Sequence, residues 1–588
     1  MTTSGTAARA IALVAASAMG LAACSTSSSG SNSTTTSGSS ASATTANTTI
    51  KYAYEQEFGS YNNNTADQNA SKNAVVLNEV LRGFWQYAPN GTVAPDTEFG
   101  TYEKTSDNPL TVKYTINPKA VWSDGVPIDC ADMVLAWAAN SNAFPTGKKN
   151  TDGTPAYAFS TAGSTGWSQA NMPQCNKGDK TMTLTYKTPF ADWNSLYANG
   201  QILPAHIVEK ESGVPDIIAA VKSKDIAALT KAGNFYNTGW IFKAGQFKSD
   251  ISPSAGPYQI SSWQAGQSLT LTANPKWWGT PPKSKTIIFR FISQDQQAQA
   301  LQNGEVQVMD PQPNPELLGQ LKNIGNSINV ENHDQFTFEH YDFNFRAGNP
   351  FTDIKVRQAF AKCLPRATIV NNLIKPQNPN AVVMDSLYAL PFQPNYQDFV
   401  SSNGSSAFSQ TDIPGAKQLL SQAGKTGLQV RIGYQTPNPR RTQEVALVRD
   451  SCGQAGFKIV DAGQSDFFGN GLANGNWDVA LFAWAGSAVV TGNSSTYVTG
   501  GGNNNGKYSN PQVDKLTNEL NSTLDSATQK GLQAQLDKIV FTQDLASIPV
   551  FAFPAVLAYD KKVQGIQFNA SQSDITYNAS KWSLQTAQ

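Results

Sequence analysis

The sequence predicts an α/β protein built as two or three lobes. Short strands and amphipathic helices alternate along nearly its whole length. The part able to fold is roughly 540 residues, more than a single core encloses. No internal repeat is visible, so the lobes are not copies of one unit.

The elements follow in order. Residues 50–54 alternate apolar and polar side chains and form the opening strand. A helix over 73–81 leads to the turn Tyr87-Ala-Pro-Asn-Gly91. A strand at 112–116 passes through the loop 117–127 into a helix over 129–140. Asp129 is a good N-cap there, and Met133, Val134 and Trp137 share one face. A strand at 182–186 precedes helical spacing over 215–232. Strands rich in β-branched residues occupy 268–273 and 287–292. A helix at 296–302 and a short strand at 306–309 close the first part. After the proline-rich stretch 311–315, helices are expected near 355–372, 414–423 and 440–455, then a Trp-containing strand at 478–484. Helices near 510–520 and 526–541 and a strand at 548–553 end the series.

The N-terminus fixes the compartment. Residues 10–23 are an apolar run of about 14, too short for a bilayer that needs about 20. With Arg9 before it and small residues after, the run reads as a signal segment that is removed. Leu21-Ala22-Ala23-Cys24 resembles a bacterial lipobox. That resemblance implies cleavage before Cys24, lipidation of its thiol and tethering to the cell membrane. Residues 25–48 are almost all Ser, Thr, Gly, Ala and Asn, without charge. Such a chain cannot bury enough surface to order itself and spans about 25–30 Å. It reads as a tether that holds an extracytoplasmic body clear of the membrane.

Lys plus Arg and Asp plus Glu both number 43, so no global field attracts nucleic acid. Charged residues are only 15%, and there are 12 Trp, which suits an uncharged or zwitterionic small ligand. Besides Cys24 the chain has Cys130, Cys175, Cys363 and Cys452, an even set that suggests disulfides in an exported protein. Three pairings are possible; Cys130–Cys175 with Cys363–Cys452 is favoured because each pair stays in one candidate lobe. Each would contribute at most about 4–5 kcal/mol on the chain-entropy argument. No two cysteines are close in sequence, and only His206, His333 and His340 could assist a metal, so neither a metal site nor a cofactor is expected.

Four ordered stretches resemble the extracytoplasmic solute-binding proteins of family 5, the oligopeptide-, dipeptide- and nickel-binding lipoproteins of ABC importers. The first runs from Tyr114 to Val134 through Trp122-Ser-Asp-Gly125. The second is Ser254-Ala-Gly-Pro-Tyr258, continued by Trp263, Gly266 and Asn274-Pro-Lys-Trp-Trp-Gly279. The third is Phe351-Thr-Asp-Ile-Lys-Val-Arg-Gln-Ala359, with Pro365-Arg366 where the family has Asp-Arg. The fourth is Tyr508-Ser-Asn-Pro-Gln-Val-Asp-Lys-Leu516, then Ile548-Pro-Val-Phe551. These residues read as scaffold, with Asp124-Gly125 in a tight turn and Arg357 set to pair with a carboxylate. The resemblance implies a two-lobed periplasmic-binding-protein-like fold of type II with an extra subdomain near 88–188. Lobe I would hold 50–310 and 550–588, lobe II 311–549, with crossovers near 309–313 and 544–549. Ligand would be captured by hinge closure. The implied partners are a small-molecule or peptide ligand and the permease subunits of an importer, with the receptor a monomer. A non-transport envelope lipoprotein of the same fold, serving cell-wall glycolipid assembly, is the alternative.

The resemblance also directs attention to a site. Peptide-binding relatives carry a Trp-Thr-Gly-Asp-like segment whose Asp meets the ligand's α-amine. Here the matching stretch is Phe482-Ala-Trp484-Ala-Gly486-Ser487, so a hydroxyl replaces the carboxylate. A buried ammonium needs a counter-charge, which disfavours free-N-terminus peptides unless Glu55 or Glu57 supplies it. Trp484 would offer a flat stacking face. Tyr61, Asn62 and Asn63, after the opening strand, and Asn344, in an alternating strand, are further ligand-binding candidates. Arg440-Arg441 could meet an anion, although a solvated helix end is the plainer reading. No catalytic motif stands: G-x-S-x-G and H-E-x-x-H are absent. Residues 501–507 spell G-x-x-x-x-G-K, but Tyr508 replaces the metal-binding hydroxyl. Glu55 and Glu57 share a strand face, which is ordinary strand-end chemistry. The chain is not expected to be an enzyme.

Overall fold

The computed structural model describes residues 45–150 and 153–585. The signal segment, Cys24 and most of the tether lie outside the described residues. Among the described residues, no helix is long and apolar enough to cross a membrane.

One ten-stranded sheet organises the chain. Its strands are β1 Ala46–Tyr54, β2 Tyr258–Gln264, β3 Ser268–Ala273, β4 Ser284–Phe291, β5 Val308–Met309, β6 Ile328–Phe343, β7 Gln429–Gly433, β8 Lys458–Asp461, β9 Val479–Trp484 and β10 Ser547–Asp560. The spatial order is β8-β7-β9-β6-β10-β5-β1-β4-β3-β2. β1 runs parallel to β4 and β5, while β6 and β10 pair antiparallel along most of their length. That ladder slips register between Asp334 and Phe338.

The apolar cores divide along this pair. One cluster draws on Ile50 to Phe289 and on Val308, Leu557 and Trp582; a second runs from Phe336 to Phe553. A small third cluster joins Ala53, Met309, Val556 and Ala558 to helix Leu317–Ile324. That helix therefore packs beside β1 and β5, whereas the sequence reading placed 311–549 wholly in the second lobe. β10 contributes Phe551 and Phe553 to the second core and Leu557 to the first, while β6 contributes to the second core and, through Ile328, to the small third cluster.

Local chemistry explains most element ends. β1 starts at Ala46, inside the stretch expected to be tether, because Ala46 N–H donates to Lys283 O at 2.9 Å and the Thr48 hydroxyl donates to Ser284 at 2.9 Å. The helix Cys130–Asn140 begins as expected: Asp129 accepts from Ala131 N–H at 2.7 Å, and Asp132 returns a bond to Asp129 N–H at 2.9 Å. The helical spacing at 215–232 is two helices, Ile217–Ser223 and Ile226–Thr238, capped by Asp216 and Asp225. They break at Lys224, whose φ is +53°. The disulfides are Cys130–Cys175 and Cys363–Cys452, the favoured pairing.

The family-like motifs are scaffold. Gly125 turns the chain at φ +97°. Trp278 donates its indole N–H to Glu98 O at 2.7 Å. Arg357 does not meet a carboxylate; its Nε donates to the Asp544 carbonyl at 2.7 Å, and its guanidinium lies over Phe345. Gly256 passes so close to the preceding helical segment that a Cβ there would sit 2.3 Å from Glu79 O. Gly256→Ala is expected to destabilise the protein by about 1–3 kcal/mol through this backbone clash, read as a lower midpoint in chemical denaturation.

Candidate functional site

A chamber of about 770 Å³ lies between the two large cores. The first half contributes Asn63, Asn64 and Asn69 from the loop after β1, with Trp85, Tyr87 and Trp167. The second contributes Phe468 and the segment 484–496. The crossing strands supply Phe336, Phe338 and Phe553. Amides, hydroxyls and aromatic faces dominate the walls, which suits a solute held by hydrogen bonds and stacking.

Trp484 ends β9, paired with Phe338 across the ladder. His340 stacks beneath its ring at 5.8 Å and Phe482 meets it edge-on at 4.9 Å. The backed indole thus lines the chamber, and its buried N–H has no partner. Gly486 and Ser487 continue the wall; Gly486 O accepts from Gln572 N–H at 2.8 Å, and the Ser487 hydroxyl lies beside that of Tyr87. Asn63 also lines the chamber, its Oδ1 accepting from Ala70 N–H at 2.9 Å.

Three predicted residues fall elsewhere. Tyr61 is fully buried, with its hydroxyl bonded to Pro253 O and its ring against Trp240. Asn62 donates to Tyr236 O at 2.8 Å and accepts from Asn64 N–H at 2.9 Å. Asn344 donates to Trp477 O at 2.7 Å and Gly475 O at 3.1 Å. All three spend their polar atoms on the scaffold and do not line the chamber. Glu57 is likewise structural, accepting from Trp263 Nε1–H and Gly266 N–H, both at 2.8 Å.

Arg440 and Arg441 are neither solvated nor free for an anion. They open helix Pro439–Ala455 as buried side chains. Arg441 forks onto Glu339 at 2.7 and 3.0 Å, and Arg440 joins Glu339 at 3.2 Å and also pairs with Glu444. Against the cost of burial, the two guanidiniums hold the Glu339 carboxyl down at about 2. Burial pushes Glu444 up to about 7 despite Arg440. Arg441 reaches the chamber wall as its one cation among the described residues.

The halves touch at the chamber mouth. Asp192, a buried residue of the first half, accepts from Thr491 N–H at 2.8 Å, Thr491 Oγ1–H at 2.7 Å and Val490 N–H at 3.3 Å. Ala191 N–H donates to Asn521 O at 2.8 Å, and Ala488 N–H to Gly91 O at 3.0 Å. Nothing local in the sequence marks Asp192; it matters only because 490–491 lie opposite.

Two halves that share a sheet, meet along two long strands and enclose a chamber define the two-lobed periplasmic-binding-protein-like fold. Solved structures agree. The periplasmic EDTA-binding protein EppA matches with a TM-score of 0.75 at 22% identity, covering 92% of this chain and 97% of that one. The oligopeptide-binding protein AppA of Bacillus subtilis, in complex with a nonapeptide, matches with a TM-score of 0.70 at 16% identity, covering 92% and 99%. A profile of the family described as bacterial extracellular solute-binding proteins, family 5 Middle, matches residues 95–506, and the chain belongs to that family. It is 26% identical over 558 residues to an uncharacterized lipoprotein of Mycobacterium tuberculosis, covering 92% of this chain and 94% of the relative. It is also 26% identical over 502 residues to the oligopeptide-binding protein OppA of the same organism, covering 84% and 78%.

Proposed function

We propose that this chain is a receptor anchored to the membrane through a lipid on Cys24, and that it captures an oligopeptide or peptide-like solute for an ABC importer. The observation that carries the reading is the chamber of about 770 Å³, lined by amides, hydroxyls and aromatic rings and bridged at its mouth by Asp192. Its size suits a solute of several residues rather than a single ion. The hinge is the β6–β10 ladder, loosest where its register slips at 334–338. Solute bound between the halves contacts both only when they close, so binding shifts the population toward the closed state. The OppA and AppA likenesses support a peptide-like solute. Titration of intrinsic Trp fluorescence with pools of short peptides is expected to give saturable curves; no response to any pool would overturn the peptide reading.

A second reading rests on Ser487. With no carboxylate at that position, the same closing body would serve as a non-transport carrier or regulator in envelope assembly. Saturable binding of a glycolipid fragment, with none of any peptide, would favour it.

A further inference from the structure

We propose that Glu55, Asp310 and Asp574 form a cation subsite in the chamber wall, receiving an ammonium or guanidinium group of the captured solute. The proposal deepens the receptor reading and rests on it. Three separate elements bring these carboxylates together. β1 and β5 run parallel with Ala53 opposite Met309, so Asp310, level with Tyr54, and Glu55, one residue further on, leave the sheet at the same end. Asp574 caps the helical turn Ile575–Lys581 with φ at +58°, its carboxylate accepting from Ile575 N–H. All three line the chamber and are half-buried.

Burial outweighs the help these carboxylates receive: Arg441 favours the charged form of Glu55 only in part, and Asp574 has the Tyr52 hydroxyl and Ile575 N–H but no cation. Among the described residues, no Lys or Arg forms an ion pair with any of the three. Arg441, the cation in the same wall, is already forked onto Glu339 at 2.7 and 3.0 Å. Glu55 accepts from Gln312 Nε2–H at 2.8 Å, a neutral donor. Burial and then the neighbouring Asp574 and Glu55 charges drive the Asp310 carboxyl far above its ordinary range. Burial likewise pushes Asp574 up to about 7. A ligand cation placed here would relieve that repulsion directly.

Gln294 points to a ligand independently. It is 4% exposed, and its Oε1 has no hydrogen-bond partner. It faces a void of about 30 Å³ that adjoins the chamber at Glu55, Gln56, Gln312 and Arg441. A buried acceptor left without a donor is costly unless something donates to it. Glu55, Asp310, Asp574 and the Gln294 Oε1 all present acceptors, and the matching ligand end is rich in N–H donors. Among the described residues, no group of three acidic, His or Cys side chains is spaced to hold a metal ion. An ammonium or a planar guanidinium offers several N–H directions to such a set of acceptors.

Isothermal titration calorimetry on the purified full chain tests this with agmatine, which carries both cations, and with N-pentylurea, which carries none. Wild type is expected to bind agmatine saturably and at least tenfold more tightly than N-pentylurea. Asp310→Asn and Glu55→Gln are each expected to weaken agmatine tenfold or more without lowering the unfolding midpoint, since neither group forms an ion pair that the amide would break. Agmatine binding is also expected to tighten from pH 6 to pH 8 as Asp574 ionises. The groups facing Asp574 are Tyr52, Tyr54, Glu55 and Asp310, and none becomes more positive over that range. No saturable agmatine binding, or equal binding to wild type and both variants, would overturn the subsite. The peptide-pool titration separates the two readings. Pools that saturate wild type and Asp310→Asn alike, with agmatine unbound, leave the receptor and remove the subsite. Agmatine binding that the variants lose, with no pool binding, leaves the subsite and removes the peptide reading.

Discussion

Glu339→Ala is expected to destabilise the protein by about 3–5 kcal/mol, because it strands two buried guanidiniums. Arg440 and Arg441 are 1% and 2% exposed, and Glu339 is fully buried between them. Arg441 loses both bonds of its fork in the variant, while Arg440 keeps Glu444. Arg440 also lies over Phe551 and Phe553, at 5.3 and 5.1 Å, an apolar setting in which an unpaired charge is costly. Glu339→Gln, which restores one acceptor but no charge, should fall between wild type and alanine. Urea denaturation at neutral pH reads the difference. The pH dependence has a definite sign. Glu339 titrates near 2 when folded and near 4.5 when unfolded, so its contribution is full above 4.5 and is lost as pH falls from 4.5 towards 2. A Glu339→Ala protein as stable as wild type would contradict this account of the network.

Asp192→Ala is expected to weaken solute affinity tenfold or more and to speed dissociation. Its carboxylate takes three hydrogen bonds from Val490 and Thr491 across the chamber mouth. Those bonds exist only with the halves together, so they add to the closed state and nothing to the open one. Hydrogen bonds to a charged acceptor contribute about 1.5–3 kcal/mol, and each 1.4 kcal/mol is tenfold in affinity. The open form loses no contact, so the unfolding midpoint without solute should move little. Stopped-flow fluorescence with a peptide that binds wild type gives the dissociation rate. An unchanged rate and affinity would show that the mouth contacts do not hold the chamber shut.

The scaffold was legible where a residue acts on its near neighbours. Asp129 caps the helix it precedes, Gly125 turns the loop it lies in, and the strand at 268–273 has the predicted bounds. The disulfides were legible because four cysteines in two candidate lobes leave few sensible pairings. The site was less so, because its residues depend on distant partners. Tyr61, Asn62 and Asn63 are consecutive, yet only Asn63 faces the chamber; Pro253 and Tyr236, far along the chain, take the other two. Arg440-Arg441 resembles a solvated helix start until Glu339, a hundred residues earlier, is brought beside it by β6. Asp310 and Asp574 stand alone in the sequence. The one available signal was that two neighbouring strands, ending at 54 and 309, each run into an acidic residue.

The central claim is that the two halves close on a solute by bending at β6 and β10. Small-angle X-ray scattering of the full chain, before and after unfolding and refolding to strip any retained solute, tests it most directly. The account predicts that the stripped protein is more extended and contracts again when the released solute, or a peptide shown to bind, is restored. Identical scattering profiles with and without a bound solute would contradict it.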